Sequence, residues 1–337
     1  MNLKAEIRRF AHDIGFDRVG FANAEPFFEE NRILKRRKSQ GLLSPFEDYH
    51  IDRRCCPDQI LSGVRTIICV AIGYLTLQSD RELITQKDDC GRLSKYAQVY
   101  DYHHLIRRKL NEIVDFISKR QNGKFEVLVD SGSLIERAAA KRAGIGWLGQ
   151  NTCLFVPELG SWVFLGEILT DIQIDPDEPL ETQCDNCGRC IRACPTGALF
   201  APYQINPYKC LSYITQMKGS IPKEYRTILG DRIFGCDTCQ EVCPHNTHVR
   251  IPNHLEFVVK DGIDTNLYKV AKISKNEYIK SFGKTAAGWR GRNTIRRNAV
   301  CALANTSSDA IPFLESMLRD PSETVREHVQ WAIRRLK

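Results

Sequence analysis

The chain has 337 residues, 42% of them hydrophobic and 26% charged, which is the composition of an ordinary globular protein with room for two or three domains. Its longest apolar run, at 66–77, is too short to span a bilayer, so no membrane partner is expected. Arg8 and Arg9 form a pair like that of an export signal, but Asp13 interrupts the apolar stretch that should follow. We therefore expect a cytoplasmic protein, in which 14 cysteines indicate metal or redox chemistry rather than disulfides.

The net charge of +7 is concentrated near the C-terminus. Residues 284–337 hold ten Lys and Arg against five Asp and Glu, so this segment carries +5 and the other 283 residues carry +2. A basic segment of this kind favours a polyanionic partner such as a nucleic acid. Charge alone leaves open the alternative of a solvated helix surface.

The first 175 residues alternate between helical and extended patterns, which predicts a mixed α/β domain. Ser133 and Glu136 have the spacing of a capping box at the start of its third helix. The predicted helices cover 3–15, 103–121 and 133–144, and the predicted strands cover 17–24, 66–75, 125–130 and 162–169.

Three glycines in this half match the G-x-G-x-x-G fingerprint of dinucleotide-binding proteins: Gly144, Gly146 and Gly149. That motif requires a strand before it and a helix after it, whereas these glycines follow a predicted helix. We therefore reject a nicotinamide site. The glycines are expected to end the helix and to form a loop that lets a large ligand approach the backbone.

Asp130 is the candidate catalytic residue of this half, because it ends a predicted strand, where a carboxylate often faces a pocket. An ordinary turn or cap aspartate is the alternative that the local sequence favours.

Two cysteine runs follow. The first has the complete C-x2-C-x2-C-x3-C-P pattern of a bacterial ferredoxin, in which the fourth cysteine of each run binds the other cluster. The second run lacks one cysteine, at the position of Ile233, and Cys210 is the only spare cysteine between the runs. The predicted ligands are Cys184, Cys187, Cys190 and Cys243 for one [4Fe–4S] cluster, and Cys194, Cys210, Cys236 and Cys239 for the other.

Paired C-x2-C motifs are also typical of zinc sites, so two zinc ions are the alternative. The short spacings and the Cys-Pro endings favour iron–sulfur clusters. Six further cysteines are expected to be small buried hydrophobic residues rather than ligands: Cys55, Cys56, Cys69, Cys90, Cys153 and Cys301.

The basic C-terminal segment contains two similar stretches, 294–304 and 324–334, at an offset of 30 residues. A period near 30 with helical spacing indicates a short HEAT-like array, in which each unit buries one face on the next. Arginines at the start of the first repeat are suited to bind phosphates, and an aromatic side chain is suited to stack on an unpaired base.

Taken together, the chain resembles the epoxyqueuosine reductases, cobalamin and iron–sulfur enzymes of tRNA modification that are related to reductive dehalogenases. The similarity spans nearly the whole chain. It is carried by YDYHHLIRRKL at 100–110, VDSGSLIERAAAKRAGIGW at 129–147, CIRACPTGAL at 190–199, CLSYITQMKG at 210–219, GCDTCQEVCP at 235–244 and GWRGRNTIRRNAVCALA at 288–304.

The resemblance implies an N-terminal cobalamin-binding domain of the nitroreductase and dehalogenase type at 1–175 and a ferredoxin-like domain at 176–250. A linker at 251–283 and a HEAT-like tRNA-binding domain at 284–337 would follow. It implies cobalamin contacts at Arg54, Ser94, Asp130, Asn151, Leu154, Leu165, Ser212, Asp237 and Thr238, and tRNA contacts at Lys218, Trp289, Arg290, Arg292, Arg296 and Arg297.

The resemblance also implies the reaction: reduction of an epoxide on the wobble base of tRNA to the alkene of queuosine, with Asp130 as the proton donor. Two clusters would relay electrons from an external donor to cobalamin in a monomer that binds the anticodon stem-loop. Asp101 and His103 begin a string like the D-x-H-x-x-G cobalt-binding motif, but its glycine is absent, so no histidine of that motif is expected on cobalt.

Three other functions compete with this one. A small-molecule cobalamin reductase of the dehalogenase type would have an export signal and no basic repeat segment. An electron-transfer or tRNA-binding module without catalysis would bind no corrin, and a zinc-bearing nucleic-acid scaffold would contain no iron or sulfide.

Overall fold

A computed structural model describes residues 2–77, 89–130, 133–259 and 263–337. Segments 78–88 and 131–132 of the predicted cobalamin domain and 260–262 of the predicted linker lie outside the described residues. The strands are β1 (Arg18–Asn23), β2 (Thr66–Gly73), β3 (Arg92–Leu93), β4 (Phe125–Leu128), β5 (Trp147–Leu148), β6 (Leu154–Phe155), β7 (Val163–Thr170), β8 (Leu199–Ala201), β9 (Gln204–Ile205) and β10 (Arg232–Phe234).

Most described helices are short. They are α1 (Leu3–Asp13), α2 (Phe28–Ser39), α3 (Ile51–Cys55), α4 (Tyr102–Ser118), α5 (Glu136–Arg142), α6 (Arg189–Arg192), α7 (Leu211–Gln216), α8 (Lys223–Arg226), α9 (Thr238–Glu241), α10 (Leu267–Lys272), α11 (Lys275–Lys280), α12 (Arg292–Thr306), α13 (Ile311–Glu315) and α14 (Glu323–Leu336). Single 3-10 turns lie at Pro57–Gln59, Lys95–Ala97, Pro207–Lys209, Pro244–Asn246, Leu255–Phe257, Phe282–Lys284 and Ala286–Arg290. No described helix is long and apolar enough to cross a membrane.

The first half is built on an antiparallel sheet in the order β1-β2-β7-β4. Every residue of β2 is buried, because helices cover both faces of the sheet. Ile68 and Val70 pack on the face that α1 and α4 cover, whereas Cys69 and Ala71 pack on the face that α5 covers. Burial on both faces explains why this strand is a continuous apolar run.

These elements confirm the mixed α/β prediction, but the capping box is wrong. α5 begins at Glu136, and its N-cap residue is Ile135, which has no capping hydrogen bond. The Ser133 hydroxyl donates instead to Asp48, at 3.2 Å, and Glu136 accepts from the backbone N–H of Asp130. Both side chains of the expected box therefore bind other segments of the chain.

The loop of Gly144, Gly146 and Gly149 was expected to let a ligand approach its backbone, but at Gly146 another strand of the protein approaches it. Gly144 has a φ of +68° and ends α5, as predicted. A Cβ atom at Gly146 would lie 2.0 Å from the carbonyl oxygen of Phe155. The backbone that approaches this glycine is therefore that of β6, and no space for a ligand is needed to explain it.

The C-terminal helices pack onto the cysteine-rich segment. Asn298 of α12 donates to the carbonyl oxygens of Thr215 and Ile233, both at 2.7 Å. The two similar stretches at 294–304 and 324–334 lie in α12 and α14, which pack against each other. Because these helices share a core with β3 and β10, they are joined to the cysteine-rich segment by buried apolar contacts.

Candidate functional site

The four cysteines predicted for the first cluster line one cavity of about 380 Å3. Cys184, Cys187 and Cys190 approach it from the loop before α6 and from α6 itself, and Cys243 approaches it after α9. Cys190 is buried and Cys187 is exposed. A cluster in this cavity is therefore within reach of an electron donor at the surface.

The thiols predicted for the second cluster are neighbours as well. Burial raises the pKa of Cys210 to about 11, and the nearby thiols of Cys236 and Cys194 act in the same direction. Cys239 interacts with Cys210 and Cys236 in turn. Ile233, where a regular second run would have its missing cysteine, is buried in the hydrophobic core.

Within the described residues, no three His, Cys, Asp or Glu side chains lie as close together as one metal ion requires.

Cys153 is a fifth thiol in this region, although we expected it to be a small buried hydrophobic residue, and it is half-buried. Its contact with Cys239 is the largest cause of the raised pKa of Cys239. The same contact lowers the pKa of Cys153. A lone cysteine carries no spacing pattern, so only the fold reveals this neighbour.

Three of the predicted cobalamin contacts line a second cavity, of about 240 Å3, beside Cys236: Ser94, Asp237 and Thr238. Ser94 donates its hydroxyl hydrogen to Asp237, and the N–H of Lys95 donates to the other carboxylate oxygen at 2.7 Å. A Cβ atom at Gly235 would lie 2.4 Å from the Cβ atom of Ser94, so the wall is closely packed.

The other predicted cobalamin contacts are not in the lining of this cavity. Asn151 lines the cavity of the first cluster and donates to the carbonyl oxygen of Cys239 at 3.2 Å, and Ser212 lies two residues after Cys210 in the first turn of α7. Leu154 is buried in β6, and Leu165 is half-buried in β7. Arg54 forms an ion pair with Glu47 at 2.9 Å.

Asp130 lies two residues after the end of β4. Its backbone is left-handed, with a φ of +52°, which is unusual for a residue with a side chain. Its carboxylate is 3.2 Å from Nε2 of His103, and Nδ1 of His103 is 2.6 Å from the Asp101 carboxylate. The hydrogen bonds with Asp101 and Asp130 raise the pKa of His103 to about 9.

Tyr96 interacts electrostatically with two carboxylates and with one predicted ligand of the second cluster. Burial is the main cause of its raised pKa, and Asp237, Asp130 and Cys210 act in the same direction.

Two carboxylates, the half-buried Glu136 and the fully buried Glu167, lie behind Asp130. Burial raises the pKa of Glu136 to about 7, and the negative charge of Asp130 adds to the shift. Burial also raises the pKa of Glu167, and Glu136 adds to that shift. Glu167 is fully buried in β7, and the only sign of it in the sequence is a single acid within an apolar strand.

The predicted tRNA contacts divide into exposed and buried residues. Lys218 and Trp289 are exposed. The guanidinium group of Arg290 lies 4.0 Å from the ring centroid of Trp289 and 4.5 Å from that of Phe46. Phe46 also contacts Tyr213, and neither aromatic residue was expected at this surface. Arg292 donates to the carbonyl oxygen of Ile273 at 3.2 Å.

Arg296 and Arg297 are buried, which contradicts the expectation that their guanidinium groups face tRNA. Arg296 forms a buried ion pair with Asp320, and Arg297 donates to the carbonyl oxygen of Met217 at 2.6 Å. Counting charges along a sequence does not reveal which arginines are used inside the protein.

Family models match two segments of this chain. Residues 183–246 match the 4Fe-4S double cluster binding domain, and residues 54–131 match the model described as epoxyqueuosine reductase QueG, DUF1730. The first of these segments holds all eight cysteines predicted to bind the clusters.

Curated relatives match almost end to end. The chain is 39% identical to the epoxyqueuosine reductase of Bacillus subtilis over 98% of its own length and 87% of the relative's. It is 36% identical to the epoxyqueuosine reductase of Staphylococcus aureus, over 98% of its own length and 88% of the relative's.

Solved structures also match this chain over nearly its whole length. An epoxyqueuosine reductase with an epoxyqueuosine-modified tRNA-Tyr stem loop is 35% identical and matches with a TM-score of 0.88, over 99% of this chain and 90% of the other. The Bacillus subtilis enzyme with its catalytic aspartate loop swung out of the active site matches with a TM-score of 0.92 at 36% identity, over the same shares. The chain therefore belongs to the epoxyqueuosine reductase family.

Proposed function

We propose that this chain reduces epoxyqueuosine in tRNA to queuosine, with cobalamin as the redox cofactor, two [4Fe–4S] clusters as its electron supply and Asp130 as the proton donor. The epoxide oxygen leaves as water, so each turnover takes up two electrons and two protons. The observation that carries the proposal is the 240 Å3 cavity, in whose lining the predicted cobalamin contacts Ser94, Asp237 and Thr238 lie beside Cys236, a predicted ligand of the second cluster.

The residues around the 240 Å3 cavity would form one part of the wall of a cobalamin site. Ser94, Lys95 and Asp237 supply fixed polar groups in the wall, and the cavity adjoins Cys236 of the second cluster. The rest of the predicted contact set belongs to the proposal: Arg54, Asn151, Leu154, Leu165, Ser212 and Thr238. When bound, cobalamin supplies the two-electron reduction at a ring carbon of the substrate.

The chain's own residues supply the protons. Asp130 is the side chain proposed to protonate the epoxide oxygen, which removes the need for an alkoxide leaving group. Glu136 accepts from the backbone N–H of Asp130 and so fixes the unusual backbone that presents the carboxylate. His103 and Asp101 continue the line of polar groups behind that carboxylate.

The tRNA surface in this proposal consists of the exposed Lys218 and Trp289 and the half-buried Arg290 and Arg292. Lys218 and Arg292 would bind phosphates, whereas Trp289 and Arg290 would offer a stacking surface to an unpaired base of the anticodon loop. A HEAT-like arrangement of α12 and α14 remains part of the proposal. So do a monomeric state and an external electron donor.

The test is a reconstitution. The protein is loaded anaerobically with iron, sulfide and cobalamin, incubated with epoxyqueuosine-bearing tRNA and a reductant, and the nucleosides are analysed by mass. We expect conversion to queuosine, with loss of one oxygen. Asp130→Asn should keep tRNA binding and the corrin absorbance but lose most turnover, by roughly 10²- to 10⁴-fold. Full turnover in Asp130→Asn would remove this acid from the mechanism.

A further inference from the structure

The proposed reaction needs two protons, but one carboxyl group carries only one. Breaking the two C–O bonds of the epoxide releases its oxygen as water, which takes up both protons, and the two electrons supplied by the reductant convert the two carbon atoms into an alkene. After its first transfer Asp130 is a carboxylate. It must regain a proton before the oxygen leaves, and the bound substrate would then separate it from bulk water.

A histidine is placed to supply that proton. His103 lies in the first turn of α4, and Asp101 is the N-cap residue of that helix. The Asp101 carboxylate accepts from the backbone N–H of His103 at 3.1 Å and contacts Nδ1 of its ring at 2.6 Å. These two contacts fix the ring with Nδ1–H towards Asp101, so Nε2 faces the Asp130 carboxylate at 3.2 Å.

We propose that His103 is a positioning residue that returns a proton to Asp130 between the two proton transfers, with Asp101 holding its ring. This inference rests on the proposed function. The Asp130 carboxyl gives its proton to the epoxide oxygen, which becomes a hydroxyl group. The Nε2 proton of the imidazolium then passes to the Asp130 carboxylate. Asp130 gives this second proton to the hydroxyl group, which leaves as water, and the imidazole regains a proton from solvent.

The surroundings of His103 suit this role. Asp101 and Asp130 face the ring from two sides, and the Tyr102 ring stacks on it at a centroid distance of 4.2 Å. Glu136 lies behind Asp130, so the charges around the ring are negative. The pKa of about 9 keeps the ring protonated at neutral pH. The His103 side chain is 34% exposed, which leaves a route for protons from water.

A purely structural role makes different predictions. If His103 only held Asp130 in place, a side chain that keeps the hydrogen bond would preserve activity at every pH. His103→Gln keeps an amide N–H for Asp130 but carries no transferable proton. His104→Gln is the matched control, because His104 is the next residue of the same helix and is exposed.

The first measurement needs no turnover. In the oxidised holoenzyme with labelled histidine, NMR should show one ring that titrates near pH 9 and is missing from His103→Gln. In Asp101→Asn its midpoint should fall towards the ordinary value of about 6.5. A His103 midpoint near 6.5 in the wild type, or one that Asp101→Asn does not change, overturns the relay.

The second measurement is the pH dependence of single-turnover rates. His103→Gln should be slower by about 10²-fold at neutral pH and recover as the pH falls, because solvent acid then recharges Asp130. His104→Gln should follow the wild type. A pH-independent loss, or none, in His103→Gln overturns the relay. If the wild type forms no queuosine, the proposed function fails and the relay with it, whereas a failed NMR titration in an active enzyme overturns the relay alone.

Discussion

Ser94 donates its hydroxyl hydrogen to the carboxylate of Asp237, 143 residues further along the chain. Burial raises the pKa of Asp237, while this hydrogen bond and the one from the N–H of Lys95 favour its charged form. The contact joins the first half of the chain to the cysteine-rich segment at the wall of the 240 Å3 cavity.

Ser94→Ala should destabilise the protein by about 1–3 kcal/mol, because a buried carboxylate loses a donor. The Ser94 hydroxyl stabilises the charged form of Asp237, so the loss of stability in Ser94→Ala should grow as the pH rises above 3.8, the ordinary pKa of an aspartate. Thermal unfolding of the anaerobic protein at several pH values measures this. Ser39→Ala, at an exposed position, is the control, and equal midpoints for the two variants would contradict the expectation.

Cys210→Ala should remove about half of the bound iron and leave the first cluster in place, since that cluster uses other thiols. Iron and sulfide analysis of anaerobically reconstituted protein measures this. Cys56→Ala, which is half-buried and outside both predicted ligand sets, should keep the full iron content. Retention of both clusters in Cys210→Ala would show that another residue completes the second one.

Lys218→Ala should weaken tRNA binding similarly for all sequences and reduce the slope of the salt dependence by about one, as expected when a phosphate contact is lost. Its unfolding midpoint should not change, because the side chain is exposed. Binding titrations at several salt concentrations measure the slope. Lys119→Ala, an exposed lysine after α4, should bind like the wild type, and a Lys218→Ala slope equal to that of the wild type would exclude the contact.

Arg296→Ala should destabilise the protein by about 3–5 kcal/mol, because it leaves the Asp320 carboxylate in a buried site without its partner. The effect should appear without tRNA, as a lower midpoint in thermal unfolding. Arg319→Ala is the control, since Arg319 is an exposed arginine beside the same aspartate. An Arg296→Ala protein of wild-type stability with weakened tRNA binding would restore the original expectation of a phosphate contact.

The pKa of Glu136 is about 7 in the folded protein and about 4.5 ordinarily, so the native state holds the proton more tightly than the unfolded chain. Stability should therefore fall as the pH rises between these two values. Glu136→Gln removes this titration, so its stability relative to the wild type should increase over that range by on the order of 2 kcal/mol. Unfolding midpoints of both proteins from about pH 5 to about pH 8 measure the difference, and a constant difference would contradict it.

Local patterns predicted much of the fold and part of the site. The continuous apolar run of β2 and the helical spacing of α4 are confirmed, because each depends on neighbours close in the sequence. The cysteine spacing identified the double-cluster segment, whereas the role of Asp130 stays a prediction, because its local sequence favoured an ordinary turn or cap aspartate.

The remaining features depend on contacts between residues far apart in the sequence. Glu167 meets Glu136, and Cys153 meets Cys239, only after β7 and the cysteine-rich segment have packed. The burial of Arg296 likewise depends on a distant residue, Asp320, which lies between α13 and α14. The Asp101–His103 pair was visible in the sequence, but only a cobalt ligand was sought there, and the Asp130 contact lies 27 residues away.

Cys187 of the first set is exposed, whereas each of the four thiols of the second set is half-buried. Dioxygen reaches the outer cube by the same opening as a reductant, so oxidative damage should begin there. A molecule damaged in this way keeps its acid and its inner cube but receives no electrons. Air-exposed preparations would then bind tRNA normally while failing to turn over, and chemical repair of the outer cube alone would restore them.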